Sequence, residues 1–177
     1  MNAEVVTGGG AGGRGAGARW YGAALTLAAL SMSAEAAHVL ELPQKLGYDL
    51  AFYTAVNGTL YRYFPVVGGS VQLLAIVVAG VLALRLRAAG PAGRRAAAGA
   101  LLLLLAFAAW AAIVAPVNAE VARTLRVRPD AVPELWALRR VRWEVGHAIG
   151  FGLQLAGYVA LVAATLAASR GTARRAA

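Results

Sequence analysis

The stretch AAAGALLLLLAFAAWAAIVAPV, residues 96–117, decides the fold, because it contains no charged and no hydrogen-bonding polar side chain apart from one tryptophan. Crossing the ~30 Å hydrocarbon core of a bilayer takes ~20 residues of helix, and this stretch is long enough. Lipid offers no partner for backbone N–H and C=O groups, so a segment placed there must be α-helical. We therefore predict a membrane-spanning helix at residues 96–117.

Three further apolar stretches, at about residues 20–41, 66–86 and 143–168, have the same character. Hydrophobic residues make up 60% of the chain and charged residues 14%, and the mean hydropathy is +0.63. This composition is typical of a small integral membrane protein and not of a soluble domain. We predict an all-α fold, a bundle of four transmembrane helices. The chain has no cysteine, which excludes disulfides and thiolate metal sites.

The two ends of the chain differ from this membrane domain, which we place at residues 19–169. Residues 1–18 are rich in glycine and are predicted to be disordered. Residues 170–177 are rich in arginine and are predicted to form a basic cytoplasmic tail.

The arginines predict the orientation in the membrane. The net charge is +9, and arginines lie before the first span, between the second and third, and after the fourth. In a four-span protein these positions share one side, which predicts a multi-pass protein of the bacterial inner membrane with both termini in the cytoplasm. The connection between the third and fourth spans also carries arginines, but acidic residues accompany them there. Because the arginines flank apolar spans, we expect the lipid bilayer as a partner and no nucleic acid. Homo-oligomerisation stays open.

The first span also has an alternative interpretation. Arg19, the apolar run after it and the Ala34-Glu35-Ala36 triplet are typical of a secretory signal with its cleavage site. Apolar character continues through Leu42, however, which favours an intact span.

The connection after the first span carries an apolar stripe. Its members step by three or four residues: Leu46, Leu50, Tyr53, Asn57, Leu60 and Phe64. This spacing predicts an interfacial amphipathic helix that lies along the membrane surface or over the mouth of the bundle.

The fourth span is predicted to be part of an extended helix. Pro133 suits a first helical turn, and no further proline follows before Ser169. Such a helix is longer than a bilayer is thick, so its first turns should project outside.

Polar residues gather at one level of the predicted bundle. Glu35 and His38 form one Glu-x-x-His pair near the end of span one, and Glu144 and His147 form a second at the start of span four. Ionisable groups at such depth usually face the bundle interior. Di-iron and di-manganese carboxylate bundles use two such motifs. We therefore predict either no cofactor or a transition metal (iron, manganese or copper) with Glu35, His38, Glu144 and His147 as its ligands.

Three segments of the chain are similar to a known family. They are AHVLELPQK…YTAVNGTLYRYF, APVNAEVA and LWALRRVRWEVGHAIGFGLQLAGY. They resemble the four-helix bacterial membrane family called DUF1772, which includes anthrone oxygenase-like proteins. The most specific residues of the resemblance are Pro116, Asn118, Trp136, Trp143 and His147. The resemblance implies a four-helix architecture and, in the anthrone oxygenases, oxidation of a polyphenolic substrate by O₂.

Two functional hypotheses follow. The first is a membrane oxidoreductase or oxygenase that acts on a lipophilic aromatic or quinol-like substrate at the outer membrane face, with His147 as the base and Glu144 orienting its ring. The predicted catalytic residues are His147, Glu144, His38 and Asn118. The predicted substrate-binding residues are Glu41, Asn57, Tyr61, Trp110, Trp136, Trp143 and Gln154. The second hypothesis is a non-enzymatic subunit that binds a hydrophobic small molecule or lipid, or has a structural role, with the polar cluster holding the helices in register.

Overall fold

The computed structural model describes the backbone of residues 10–176 and the side chains of residues 18–171. Within this range the chain is helical and has no strand. The elements, in order, are α1 (Gly10–Lys45), α2 (Leu50–Thr59), α3 (Phe64–Arg85), α4 (Pro91–Ala109), a π-helical turn (Trp110–Val114), α5 (Ala115–Val127), a 3₁₀ turn (Pro129–Ala131) and α6 (Val132–Ala176). The predicted all-α bundle is confirmed.

Four helical stretches are long and apolar enough to cross a membrane. They are Ala18–Lys45, Phe64–Arg85, Pro91–Val127 and Pro129–Gly171. Each matches one predicted span: the second ends one residue before its predicted end at residue 86, and the third runs well beyond its predicted end at residue 117. Helix α6 has 45 residues, or about 68 Å at ~1.5 Å per residue, so the predicted extended fourth helix is present. The chain is therefore a multi-pass helical membrane protein.

Two predictions concern the first part of the chain: the disordered N-terminus and the alternative cleavage site in span one. Residues 1–9 lie outside it, and α1 begins at Gly10, inside the segment predicted to be disordered. The alternative cleavage triplet, residues 34–36, lies within the last third of α1, where Glu35 is buried.

Helices α1, α3, α4 and α6 form the bundle, with α6 packed against both α4 and α1, and with α3 closing the other side against α1 and α4. Small side chains dominate the core that these helices share: Ala24, Ala28, Ala75, Ala79, Ala96 and Ala164, with Leu82, Leu103 and Leu161. Large aliphatic residues face outward instead, among them Leu30, Leu74, Val77, Leu104, Val159 and Leu166. This distribution suits lipid, where helices associate by close van der Waals packing of small residues.

Helix α2 takes the place of the predicted amphipathic helix, although only part of the stripe faces inward. Tyr53 is fully buried, while Leu46 and Leu60 at the two ends are exposed. Asp49 caps α2 by accepting a hydrogen bond from the Phe52 N–H. The helix is only ten residues long, so Leu46 and Phe64 lie outside it. Phe64 begins α3 and contacts the His38 ring inside the bundle.

A π-helical turn interrupts the third span just before Pro116. Proline has no N–H, so the carbonyl of Ala112, four residues earlier, has no ordinary helical donor. Arg142 of α6 fills this role, with its Nη2 donating to the Ala112 oxygen at 3.1 Å. π-Helical turns occur frequently at functional sites, and this one brings Trp110 and Val114 to the inside of the bundle.

Helices α4 and α6 approach most closely at Gly99 and Gly157. A Cβ added at Gly99 would lie 2.8 Å from Cγ of Leu161 and 3.0 Å from the Gly157 oxygen. The backbone of α6 therefore leaves no space for a methyl group at this point.

We predict that Gly99→Ala destabilises the protein by about 1–3 kcal/mol, because the overpacked methyl forces α4 and α6 apart. Thermal unfolding in detergent micelles measures the effect. Gly152→Ala is the control, because a Cβ at Gly152 meets nothing within 4 Å. Equal unfolding temperatures for the two variants would contradict the close approach.

Candidate functional site

Several helices enclose a cavity of about 330 Å³ near the ends of spans one and four. Its walls come from α1, α2, the first turns of α3, the end of α4 at Phe107, the π-helical turn, α5 and α6. Pro65 and Gly69 in the first turns of α3, and Ala122 and Leu125 of α5, all belong to its lining. Apolar and aromatic residues form most of the lining, with a few polar groups among them, which is the usual composition of a small-molecule site.

Helices α1 and α6 contribute several buried polar side chains to this region, and six of them form three pairs. The helices run antiparallel, so residues with higher numbers in α1 contact residues with lower numbers in α6. Ser31 Oγ donates to Gln154 Oε1 at 2.9 Å, Glu35 contacts His147, and Lys45 contacts Glu144. All six side chains are buried. We refer to these three pairs as the α1–α6 polar ladder.

The Glu35–His147 pair has the geometry of a carboxylate that orients an imidazole. His147 Nδ1 lies 2.6 Å from Glu35 Oε2. With the ring proton assigned to Nδ1, this nitrogen donates to the carboxylate and Nε2 carries the free lone pair. His147 Nε2 is buried, has no hydrogen-bond partner, and its ring lines the cavity. A base held in one tautomer by a carboxylate is the arrangement that general-base catalysis uses.

Two glycines of α6 lie next to this pair, and one of them is required by the packing. A Cβ at Gly146 would lie 2.6 Å from Cγ2 of Val114, so α6 can pack on the π-helical turn only with glycine there. Gly150, one turn after His147, faces the Glu35 carboxylate, which a Cβ would meet at 3.4 Å. Gly146 thus sets the position of His147, whereas a methyl group at Gly150 would make ordinary van der Waals contact with Glu35.

His38 stacks on His147 inside a box of aromatic rings. The two imidazole centroids are 4.1 Å apart with planes inclined by 29°. Tyr61, Phe64 and Trp143 surround His38 at centroid distances of 4.3, 5.7 and 4.9 Å. Its Nδ1 is buried without a partner. The two predicted histidines therefore do meet at one level, and both line the cavity.

Glu144 belongs to a separate ion pair and does not orient His147, contrary to the role predicted for it. Its Oε1 lies 2.9 Å from Lys45 Nζ, at relative exposures of 2% and 1%, and accepts a hydrogen bond from Tyr53 Oη at 2.8 Å. Burial, followed by the nearby Glu144 carboxylate, raises the pKa of the Tyr53 phenol above its ordinary value, so the hydroxyl stays protonated and donating. Within each Glu-x-x-His motif, the glutamate bonds to the facing helix instead of its own histidine.

Sequence reasoning did not place Lys45 and Tyr53 inside the bundle: it offered Lys45 only as a possible partner of the glutamates at the headgroup level, and Tyr53 only as a member of the stripe after span one. Lys45 Nζ also lies 4.6 Å from the ring centroid of Tyr61 and 4.9 Å from that of Trp143. A lysine two residues after Pro43 looks like an interfacial residue beyond the end of a span, but α1 continues through that proline to Lys45. The sequence feature that could have pointed to this cluster is the position of Tyr53 at the centre of the apolar stripe in α2.

The four predicted metal ligands do not form a metal centre. Among the residues the structure describes, no group of three or more histidine, aspartate or glutamate side chains could hold a metal ion. Two of the four, Glu35 and His147, bond to each other, and Glu144 is taken by Lys45. The donor set therefore does not fit iron, manganese or copper.

The predicted substrate-binding residues divide into two groups. Those that line the cavity are Asn57, Tyr61, Trp110, Trp136 and Trp143, together with the predicted catalytic residue Asn118. Asn118 Oδ1 accepts a hydrogen bond from Trp143 Nε1 at 2.8 Å and so fixes the ring that covers both imidazoles. The predicted substrate-binding residues Glu41 and Gln154, and the predicted catalytic residue Glu144, are not part of the lining. Glu41 is half-buried. Gln154 is hydrogen-bonded to Ser31, which is itself part of the lining.

Asn57 lies within α2. Its Nδ2 donates to the backbone carbonyl oxygen of Tyr53 at 2.9 Å, while its Oδ1 has no hydrogen-bond partner. Glu120, at the end of the third span, pairs with Arg139 at 2.9 Å on the outer surface.

Fold and site together define a multi-pass helical membrane protein with an aromatic-lined cavity and a buried carboxylate–histidine pair. No protein-family profile matches the chain, and neither a curated protein nor a solved structure is significantly similar to it.

We predict that Lys45→Met destabilises the protein by about 3–5 kcal/mol, because it leaves the Glu144 carboxylate buried without a counter-charge. Adding Glu144→Gln to Lys45→Met should restore part of the loss, since the unpaired charge is then removed. Unfolding of the single and double variants measures the coupling. Arg139→Met is the control: its ion pair with Glu120 has the same 2.9 Å separation but lies at the surface, so its removal should leave stability nearly unchanged. A Lys45→Met variant as stable as that control would contradict the structural role of the pair.

Proposed function

We propose that this protein binds a lipophilic phenol or quinol in the cavity and deprotonates it at His147, as the first step of its oxidation by O₂. Membership of the DUF1772 family is part of the same proposal. The observation that carries it is the unpartnered, buried Nε2 of His147 in the cavity wall, with Glu35 on the opposite nitrogen.

The cavity supports a lipophilic aromatic ligand. Its lining includes the rings of Tyr61, Phe64, Phe107, Trp110, Trp136 and Trp143. Such rings offer edges and faces for stacking a planar ligand. The first turns of α3 and helix α5 both line the cavity and belong to membrane-spanning stretches, so we propose that a ligand dissolved in lipid enters between them.

The proposed chemistry needs only groups already present and dissolved O₂. Nε2 of His147 takes the hydroxyl proton, and the imidazolium that forms is stabilised by the Glu35 carboxylate at Nδ1. The phenolate or quinolate is a stronger electron donor than the neutral molecule. For a quinol, two electrons and two protons pass to O₂, which gives the quinone and hydrogen peroxide. Trp143 covers the histidine pair and keeps water from competing for the base.

We predict that His147→Gln lowers kcat for a lipophilic hydroquinone by about 10²–10⁴, the usual contribution of a positioned base. Glu35→Gln should lower it less, because Nε2 remains but loses its orienting partner. O₂ consumption by the protein in lipid nanodiscs measures both rates. Glu120→Gln is the matched control, since Glu120 lies outside the cavity lining.

Wild-type turnover in His147→Gln would contradict the base assignment. Tight binding of the hydroquinone without O₂ consumption in any variant would favour the alternative function, a non-enzymatic subunit that holds a hydrophobic small molecule. In that case the ladder would act only to fix helix register.

We also propose that both termini lie in the cytoplasm, as the arginines in the α3–α4 connection favour. The absence of cysteine from the sequence makes this simple to test. A membrane-impermeant maleimide should label Asp130→Cys in intact spheroplasts, and should label Ala89→Cys only after permeabilisation. Both positions are exposed. The reverse labelling pattern would invert the orientation.

A further inference from the structure

The cavity has a second polar level that lies deeper in the bundle than the histidine pair. On α1, Ser31 precedes His38 by seven residues, and on α3, Gln72 follows Phe64 by eight. All four residues line the cavity. At ~1.5 Å per residue these separations correspond to about 10–12 Å along the helix axes. Since Phe64 contacts the His38 ring at 5.7 Å, Ser31 and Gln72 share a level about 10 Å below the imidazoles.

Gln72 is the polar side chain of this deeper level that lacks a partner. It is 5% exposed, and its Nε2 is buried without a hydrogen bond. The other buried glutamine, Gln154, accepts a hydrogen bond from Ser31. An unsatisfied buried amide is costly, and native proteins rarely leave one without a ligand or water to bind. In a membrane-spanning helix with a mean hydropathy of 2.3, a glutamine that serves only packing is still more unfavourable.

The wall between the two levels is open. Gly68 and Gly69 of α3 line the cavity between Phe64 and Gln72, and a Cβ at Gly69 would meet nothing within 4 Å. A Cβ at Gly68 would lie 3.6 Å from the Ala34 Cβ, so the free space along α3 is on the Gly69 side. A rigid molecule that lies there can reach the Gln72 amide while its other end touches His147.

From this geometry we infer that Gln72 determines ligand specificity: its amide binds an oxygen at the far end of an elongated, rigid molecule whose near hydroxyl reaches His147. The ligand class is an apolar ring system with one oxygen function at each end, about 10 Å apart. This inference rests on the proposed function, because it takes His147 as the first contact. A site built to bind a polar group discriminates strongly against an analogue that lacks it, since the protein group is then left unpaired.

Two probes that differ by one hydroxyl test the inference: 4,4′-dihydroxybiphenyl and 4-hydroxybiphenyl. Binding to the protein in nanodiscs is measured by isothermal titration calorimetry, so the readout does not depend on turnover. We expect the wild type to bind the dihydroxy probe about tenfold more tightly, which is ~1.4 kcal/mol. Gln72→Leu should abolish this preference and leave affinity for the monohydroxy probe unchanged. Gln44→Leu, a glutamine exchange on the exposed side of α1, should behave as the wild type.

The unliganded Gln72→Leu protein should be at least as stable as the wild type, since the exchange removes an unpaired buried amide. If both probes bind the wild type equally, or if the preference survives in Gln72→Leu, the second anchor is overturned while the proposed function stands. If neither probe binds the wild type, the phenol site at His147 fails, and the second anchor fails with it.

Discussion

The site depends on one constraint: polar side chains that face each other between α1 and α6 must pair, because lipid offers them nothing else. Ser31 with Gln154, Glu35 with His147, and Lys45 with Glu144 meet in order along the antiparallel helices. A shift of α6 by one helical turn would separate every pair and leave buried groups unsatisfied at once. The α1–α6 polar ladder therefore fixes the register of these two helices more strictly than their alanine-rich packing can.

The cavity exists because the third span departs from a regular helix beside this ladder. Pro116 frees the carbonyl of Ala112, the helix widens to a π turn, and Arg142 ties the freed carbonyl to α6. Gly146 lets α6 approach the widened turn closely enough to place His147 next to Glu35. The space between these elements and the first turns of α3 is then filled by aromatic rings only in part. An irregular backbone of this kind is tolerated at membrane depth where it lines such a cavity.

Much of the fold followed from the sequence, because apolar length and backbone hydrogen bonding leave few alternatives in a bilayer. The four spans, α2 and the long α6 were all predicted from residue patterns. The meeting of His38 and His147 also followed, since antiparallel spans bring both to the same end. The hydrogen-bond and ion-pair partners of the two glutamates did not follow from the sequence. Glu35 and Glu144 each stand three residues before a histidine, which suggests pairs within one helix, yet each bonds across to the neighbouring helix.

By itself, the sequence determined the class of protein, the number of crossings, and the level at which the ionisable residues gather, since these depend on local composition and spacing. Only the tertiary structure decided which carboxylate orients His147, that Lys45 neutralises Glu144, and that Gln72 lies unpaired at the inner end of the cavity. Those outcomes depend on helix rotation and register, which are set by contacts between residues more than a hundred positions apart, such as Glu35 with His147 and Ser31 with Gln154. Periodicity along one helix carries no information about the rotation of its neighbour.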